Sequence, residues 1–236
     1  MRGNLSVAGK LHIRKIEGIP RDKLSLRELI YWSLPHSHLK EEVYRWRVKN
    51  FKRIVNQILR LQVMKGASAI SGYPFVHGKL WISKIDGLTG EVTVYGIASL
   101  NVVTNAGRDE IVDEFDAATA AGFDLTSLNF HGIGTGVVAE AAADTALGTE
   151  LTTEYNPNST RATGTQSQPT SDVYRTVGTN TLDSGTPAVT EHGIFSQAAT
   201  GGGTLLDRSV FSAVNLNGAN GDGLQSTYDL TIASGG

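Results

Sequence analysis

Gly132-Ile133-Gly134-Thr135-Gly136 is a run whose backbone N–H groups could cradle a phosphate. Its spacing is not the dinucleotide fingerprint, and no Gly-Lys-Ser/Thr follows as in a Walker A loop. A tight turn inside a β-domain is the default reading. Of the six histidines, His36 and His38 could chelate a metal as a pair, and His131 could meet Glu191-His192 in space; His12 and His77 stand apart. The first pair has no obvious third ligand and the sequence cannot show the second meeting, so no metal and no cofactor is expected. Asp109, Glu110, Asp113, Glu114 and Asp116 could bind a cation or supply a glycosidase pair, but a solvated helix face is the simpler account. No Gly-x-Ser-x-Gly elbow marks a serine nucleophile, and the chain has no cysteine. No catalytic residue is nominated, and the chain is read as a non-enzyme.

The elements that would position these groups divide the chain by charge. Residues 1–65 hold fifteen Lys/Arg against five Asp/Glu, a net of +10; residues 66–236 hold six against eighteen, a net of −12. Such asymmetry suggests two roles and a basic part that docks on an acidic surface, in a neighbouring copy or another protein. Domains are accordingly expected at 1–66, a basic and mainly helical arm, and 67–236, an acidic β-domain.

Within the arm, residues 1–20 read as extended. Ser25 and Glu28 form a capping box for a short helix that Pro35 ends. Ser37 then caps a longer helix over Leu39–Lys65, with Gly66 as its C′ residue. Val43, Trp46, Ile54, Ile58 and Leu61 recur at helical spacing, and Phe51, Val55 and Leu59 widen that stripe. Arg45, Arg47, Lys49, Lys52, Arg53 and Arg60 leave the rest basic. Val43, Trp46, Arg47, Phe51, Arg53, Ile54 and Ile58 are the candidate assembly residues. The stripe must be covered, by the chain's own β-domain or by a partner. Trp46 and Phe51 lie on the apolar stripe, so packing is preferred to base stacking, and neither nucleic acid, membrane nor small-molecule substrate is the expected partner.

After Gly66, Lys79–Ile85 and Glu91–Ile97 flank the turn Asp86–Gly90 as a hairpin. Ala98–Thr104 continues extended, and Arg108–Ala121 reads as a helix burying Ile111, Val112 and Phe115. Asn129–Ile133, Glu150–Tyr155, Asp172–Val177, Val189–Phe195, Thr204–Val214 and Gln225–Ala233 read as strands. Asn156–Thr170 and Asn215–Gly223 read as polar loops. The fold class is therefore α+β, mainly β: a helical arm before an antiparallel sandwich or jelly-roll-like domain. No apolar run is long enough to span a membrane. Met1–Lys10 lacks the apolar core of a signal peptide, so synthesis in the cytosol is expected.

The order of several short segments carries a resemblance. Leu100–Gly107 (LNVVTNAG), Asn129–Gly136 (NFHGIGTG), Ala143–Leu151 (ADTALGTEL), Thr190–Phe195 (TEHGIF), Gly203–Phe211 (GTLLDRSVF) and Ser226–Ile232 (STYDLTI) follow one another over about 100–233. This order resembles a module of tailed-bacteriophage virion structural proteins of tail-fibre, head-decoration or collar type. The resemblance implies a virion component that acts as a homo-oligomer, such as a trimer, bound to capsid, neck or tail subunits. A receptor- or carbohydrate-binding appendage, with Tyr155 and Tyr174 as loop aromatics, is the alternative; a glycan-acting enzyme comes third. Glu191 and Arg208 are expected to pair across strands.

Overall fold

The computed structural model describes residues 39–100, 102–114 and 125–235. The extended stretch 1–20, the capping-box helix, the Ser37 cap and His12, His36 and His38 lie outside them.

The fold class is as expected: mainly β, with two antiparallel sheets behind an N-terminal helix. Helix α1 (Glu41–Ser71) precedes strands β1 (Gly72–Ile85), β2 (Val92–Ser99) and β3 (Val102–Val103), then helix α2 (Asn105–Asp113). Strands β4 (Phe130–Gly134), β5 (Ala162–Thr163), β6 (Thr165–Thr170), β7 (Val173–Thr181), β8 (Ala188–Phe195), β9 (Leu205–Asn215) and β10 (Gly223–Gly235) complete the chain. One sheet has the order β2-β1-β10-β7-β6 and the other β3-β9-β8-β4-β5. The β1–β2 hairpin forms as expected. Asp86 holds its turn by accepting from the backbone N–H groups of Leu88 and Thr89 at 3.1 and 2.8 Å. The first strand is closed by the last: β10 lies between β1 and β7, so the sheet is complete only when both ends of the described chain are in place.

Several sequence expectations are corrected. Helix α1 runs through Gly66 to Ser71, because Gly66 does not adopt the left-handed conformation that would end it there. Residues 150–155 form no strand; they make only isolated bridges, Gly134↔Glu150 and Tyr155↔Leu182. The polar stretch 156–170 contains β5 and β6, where Thr and Gln side chains suit the solvated edge of a sheet. Helix α2 starts earlier than expected, with the Thr104 hydroxyl accepting from the Gly107 N–H at 3.0 Å. Val112 on that helix is exposed rather than buried, and Phe115 and Asp116 lie outside the described residues.

The core fills the space between the sheets. Leu80, Ile82, Ile133, Val189, Phe211 and Leu224 meet there, and Val43 and Trp46 of α1 join the same cluster. Ile54 and Ile58 pack against Trp81 and Ile97. The helix therefore closes one open side of the sandwich. Strand β2 is the outer strand of its sheet, and β3 is too short to cover β9 in the other. Side chains of α1 reach the backbone of both. Arg47 Nε donates to Tyr95 O at 2.9 Å, Asn50 Nδ2 to Ala98 O at 3.0 Å, and Trp46 Nε1 to Ser212 O at 2.5 Å. Asn50 Oδ1 accepts from Ser212 N at 3.3 Å.

This also corrects the sequence view of Arg47, which is not part of a basic outer surface but is 2% exposed beneath the helix. Trp46 stacks edge-on against Tyr95, ring centroids 5.2 Å apart. Trp46→Ala removes that packing and the indole hydrogen bond, so it should lower stability by roughly 3–5 kcal/mol. Urea unfolding followed by circular dichroism measures this; a loss below about 1 kcal/mol would show that the helix does not close the sandwich.

Candidate functional site

The glycine run does not present a free phosphate cradle. β4 ends at Gly134, and the loop beyond it folds over Glu191 of β8. Glu191 is fully buried, and its carboxylate accepts from Gly136 N at 2.8 Å, Thr149 N at 2.7 Å and Gly148 N at 2.9 Å. Arg208 Nε and Nη2 donate to the same carboxylate at 3.0 and 2.8 Å, so the expected Glu191–Arg208 pair is present. Arg208 Nη1 also reaches Asp144 Oδ2 at 2.9 Å. Burial opposes the Arg208 charge, but the bonds to Asp144 and Glu191 outweigh it and hold its pKa above the ordinary arginine value. The glycines are needed for proximity. A Cβ on Gly134 would stand 2.3 Å from Thr149 O, and one on Gly136 would stand 2.4 Å from Glu191 Oε1. The loop's N–H groups thus serve an internal carboxylate.

A second buried ion pair organises the neighbouring loops. Arg161 Nε and Nη2 meet the two Glu150 oxygens at 2.5 and 2.9 Å, Nη1 donates to the carbonyls of Gln197 and Gly202, and the guanidinium lies 3.5 Å over the Phe195 ring. Tyr155, read from sequence as an exposed loop aromatic, is in the core. Its hydroxyl donates to Ile133 O and accepts from Ile133 N, and burial pushes its pKa up. Tyr174 is half-buried, with its hydroxyl donating to Leu128 O at 2.9 Å.

His131 and His192 do meet. His131 Nδ1 lies 3.0 Å from His192 Nε2, and His131 Nε2 lies 3.1 Å from Thr176 Oγ1. His192 Nδ1 is buried with no hydrogen-bond partner. Glu191, one residue away on the strand, points to the opposite side of the sheet. Among the described residues, no group of three or more His, Asp or Glu side chains is placed to hold a metal ion, and no helix is long and apolar enough to cross a membrane. Of the acidic cluster on α2, Asp109 is exposed and pairs with Arg108, and Glu110 accepts from Thr204 Oγ1 at 3.1 Å.

The sequence-selected helix residues fall into two groups. Val43, Trp46, Arg47, Ile54 and Ile58 are buried against the chain's own sheets, so the expected cover of the stripe is the β-domain. Phe51 is half-buried, and Arg53 pairs with Glu140 at the edge of the helix contact. Leu59, read as part of the same stripe, is exposed instead. No family model, curated protein or solved structure matches this chain.

Two predictions follow from the buried polar groups. Glu191→Ala leaves the Arg208 guanidinium without its main partner and three N–H groups without an acceptor. It should cost roughly 3–5 kcal/mol, read as a lower urea midpoint; an unchanged midpoint would mean the carboxylate does not organise the loops. The second concerns acid. Burial lowers the pKa of His131 to about 3, and burial followed by the neighbouring His131 drives His192 well below its ordinary value. Burial, then Lys65 and Lys79, lowers His77 to about 4. The unfolded chain therefore takes up protons below about 6.5 that the folded chain refuses. Stability should be full above that pH and fall as pH drops towards 5, by up to about 1.4 kcal/mol per unit for each histidine. A flat profile of unfolding midpoints between pH 6.5 and 5 would refute this.

Proposed function

We propose that this chain is a non-enzymatic structural subunit of a tailed-phage virion. In this reading its N-terminal region docks on the head, neck or tail, and its β-domain is presented outward. Its partners are copies of itself and capsid, neck or tail subunits, and its place of work is the virion. The observation that carries the reading is how the molecule spends its polar and apolar groups. Glu191, Arg208, Asp144, Arg161 and Glu150 are engaged with one another and with backbone, which suits a rigid scaffold. Helix α1, already packed on one side, still turns apolar and basic side chains outward, which suits association. The resemblance over 100–233 supplies the phage assignment.

One feature favours a receptor- or carbohydrate-binding appendage as a second reading. A cleft of about 720 Å³ is lined by Gln166, Gln168, Asp172, Tyr174 and Leu230, a mixture of amide, carboxylate and aromatic groups suited to a sugar.

The test is mass spectrometry of gradient-purified particles from a lysate in which the gene is expressed. The expected result is peptides of this chain co-migrating with the particles at a stoichiometric ratio to the capsid or tail subunits. Recovery solely in the soluble fraction would overturn the virion assignment, and glycan binding by that soluble chain would move the second reading ahead.

A further inference from the structure

The space between the two sheets is apolar at two levels and polar at a level between them. One apolar cluster joins Leu224 of β10 to Ile133 of β4 and Phe211 of β9. Another joins Tyr228 of β10 to Ile194 of β8. Ser226 stands between Leu224 and Tyr228 on β10, and strand alternation turns all three to the same side. In the other sheet, His192 is the Cα partner of Ile133 on β4 and of Ser209 on β9, and it precedes Ile194 by two residues on its own strand. Ser209 precedes Phe211 by two residues in the same way. Ser226 of one sheet therefore faces His192 and Ser209 of the other, between the two clusters. The sheets approach closely here because the Cα partner of Ser226 on β7 is Gly178. A Cβ on Gly178 would stand 2.5 Å from His131 Cδ2.

The polar side chains at this level are fully buried: Thr176, Ser226, His131, His192 and Ser209. His131 is satisfied at both ring nitrogens, by His192 Nε2 at 3.0 Å and by Thr176 Oγ1 at 3.1 Å. His192 Nδ1 and Ser226 Oγ have no hydrogen-bond partner among the described residues. Ser209 Oγ has a contact with Asp207 Oδ1 at 3.4 Å, longer than an ordinary O–H···O bond. A buried polar group left unpaired is costly. Here two such groups come from opposite sheets to one level of the core without bonding each other directly. A water molecule donates and accepts at once, takes two to four polar partners, and is a regular partner of such groups inside proteins. A metal ion suits the level less well, since no group of three or more His, Asp or Glu among the described residues is placed to hold one. We propose that one water molecule is held between the sheets at this level, bonded to His192 Nδ1 and Ser226 Oγ, with Ser209 Oγ as its third partner. Because its partners lie on both sheets, it ties β10 to β8 across the core. The inference is independent of the virion assignment.

The test is a crystal structure of the full-length chain from diffraction data that show ordered water. The expected result is one isolated density peak within about 2.7–3.2 Å of His192 Nδ1 and of Ser226 Oγ. No peak at that place, or a direct bond from His192 Nδ1 to another protein atom, overturns the proposal. Ser226→Val supplies a second arm. It removes the hydroxyl and puts methyl groups in its place, so the peak should be lost while the His131–His192 contact remains. A peak that persists there in the folded variant overturns the proposal as well. Should the variant fail to fold, a solution measurement on the unmodified chain takes its place. The ring Hε1 of His192 should show a nuclear Overhauser effect to a long-lived water, and its absence counts against the site. None of these outcomes bears on co-migration with particles, so failure here is distinguishable from failure of the virion assignment.

Discussion

A sandwich of two sheets leaves backbone donors and acceptors along its open sides, and each must be satisfied or covered. On one side of this molecule the need is greatest, because β2 ends its sheet and the two-residue β3 leaves most of β9 uncovered. Helix α1 meets it with three side chains, Trp46, Arg47 and Asn50, bonded to backbone atoms on both sheets. A helix placed by such bonds has its rotation fixed. That fixed rotation decides which residues are core and which remain outside: Ile54 and Ile58 go in, and Val48 and Leu59 stay out.

The same rule governs the loops around Glu191. Glu191 is taken fully out of water, which is tolerable only because five N–H donors surround it. Those donors come from the loop after β4, from residues 148 and 149, and from β9. One carboxylate thereby ties three separate segments together. The consequence for function is direct: N–H groups committed to Glu191 cannot also hold a phosphate, because displacing a buried anion from its partners costs more than an exposed phosphate contact returns.

Rigidity inside the sandwich comes with apolar side chains left exposed on the outer face of α1. The ion pairs and the His131–His192 contact hold the sandwich in one shape, with the helix fixed to its side.

The sequence by itself determined what depends on local pattern. Alternation marked β1, β2, β8, β9 and β10, the Asp86–Gly90 turn fixed the first hairpin, and three- and four-residue spacing marked α1 and its buried stripe. It also named the Glu191–Arg208 pair, which rests on side chains of neighbouring strands, and raised the meeting of His131 with His192 without being able to fix it. What it could not determine depends on contacts between distant segments. Tyr155 reads as a loop aromatic until its hydroxyl is seen bonded to Ile133, and Arg47 reads as a surface cation until Tyr95 O is placed beneath it. The glycine run reads as a turn or a cradle until Glu191, more than fifty residues away, fills it. Spacing named the buried stripe of α1, but it also counted Leu59 in and left Arg47 out, and only the tertiary structure reversed both, because the exact rotation of a helix is set by what it must cover rather than by its own sequence.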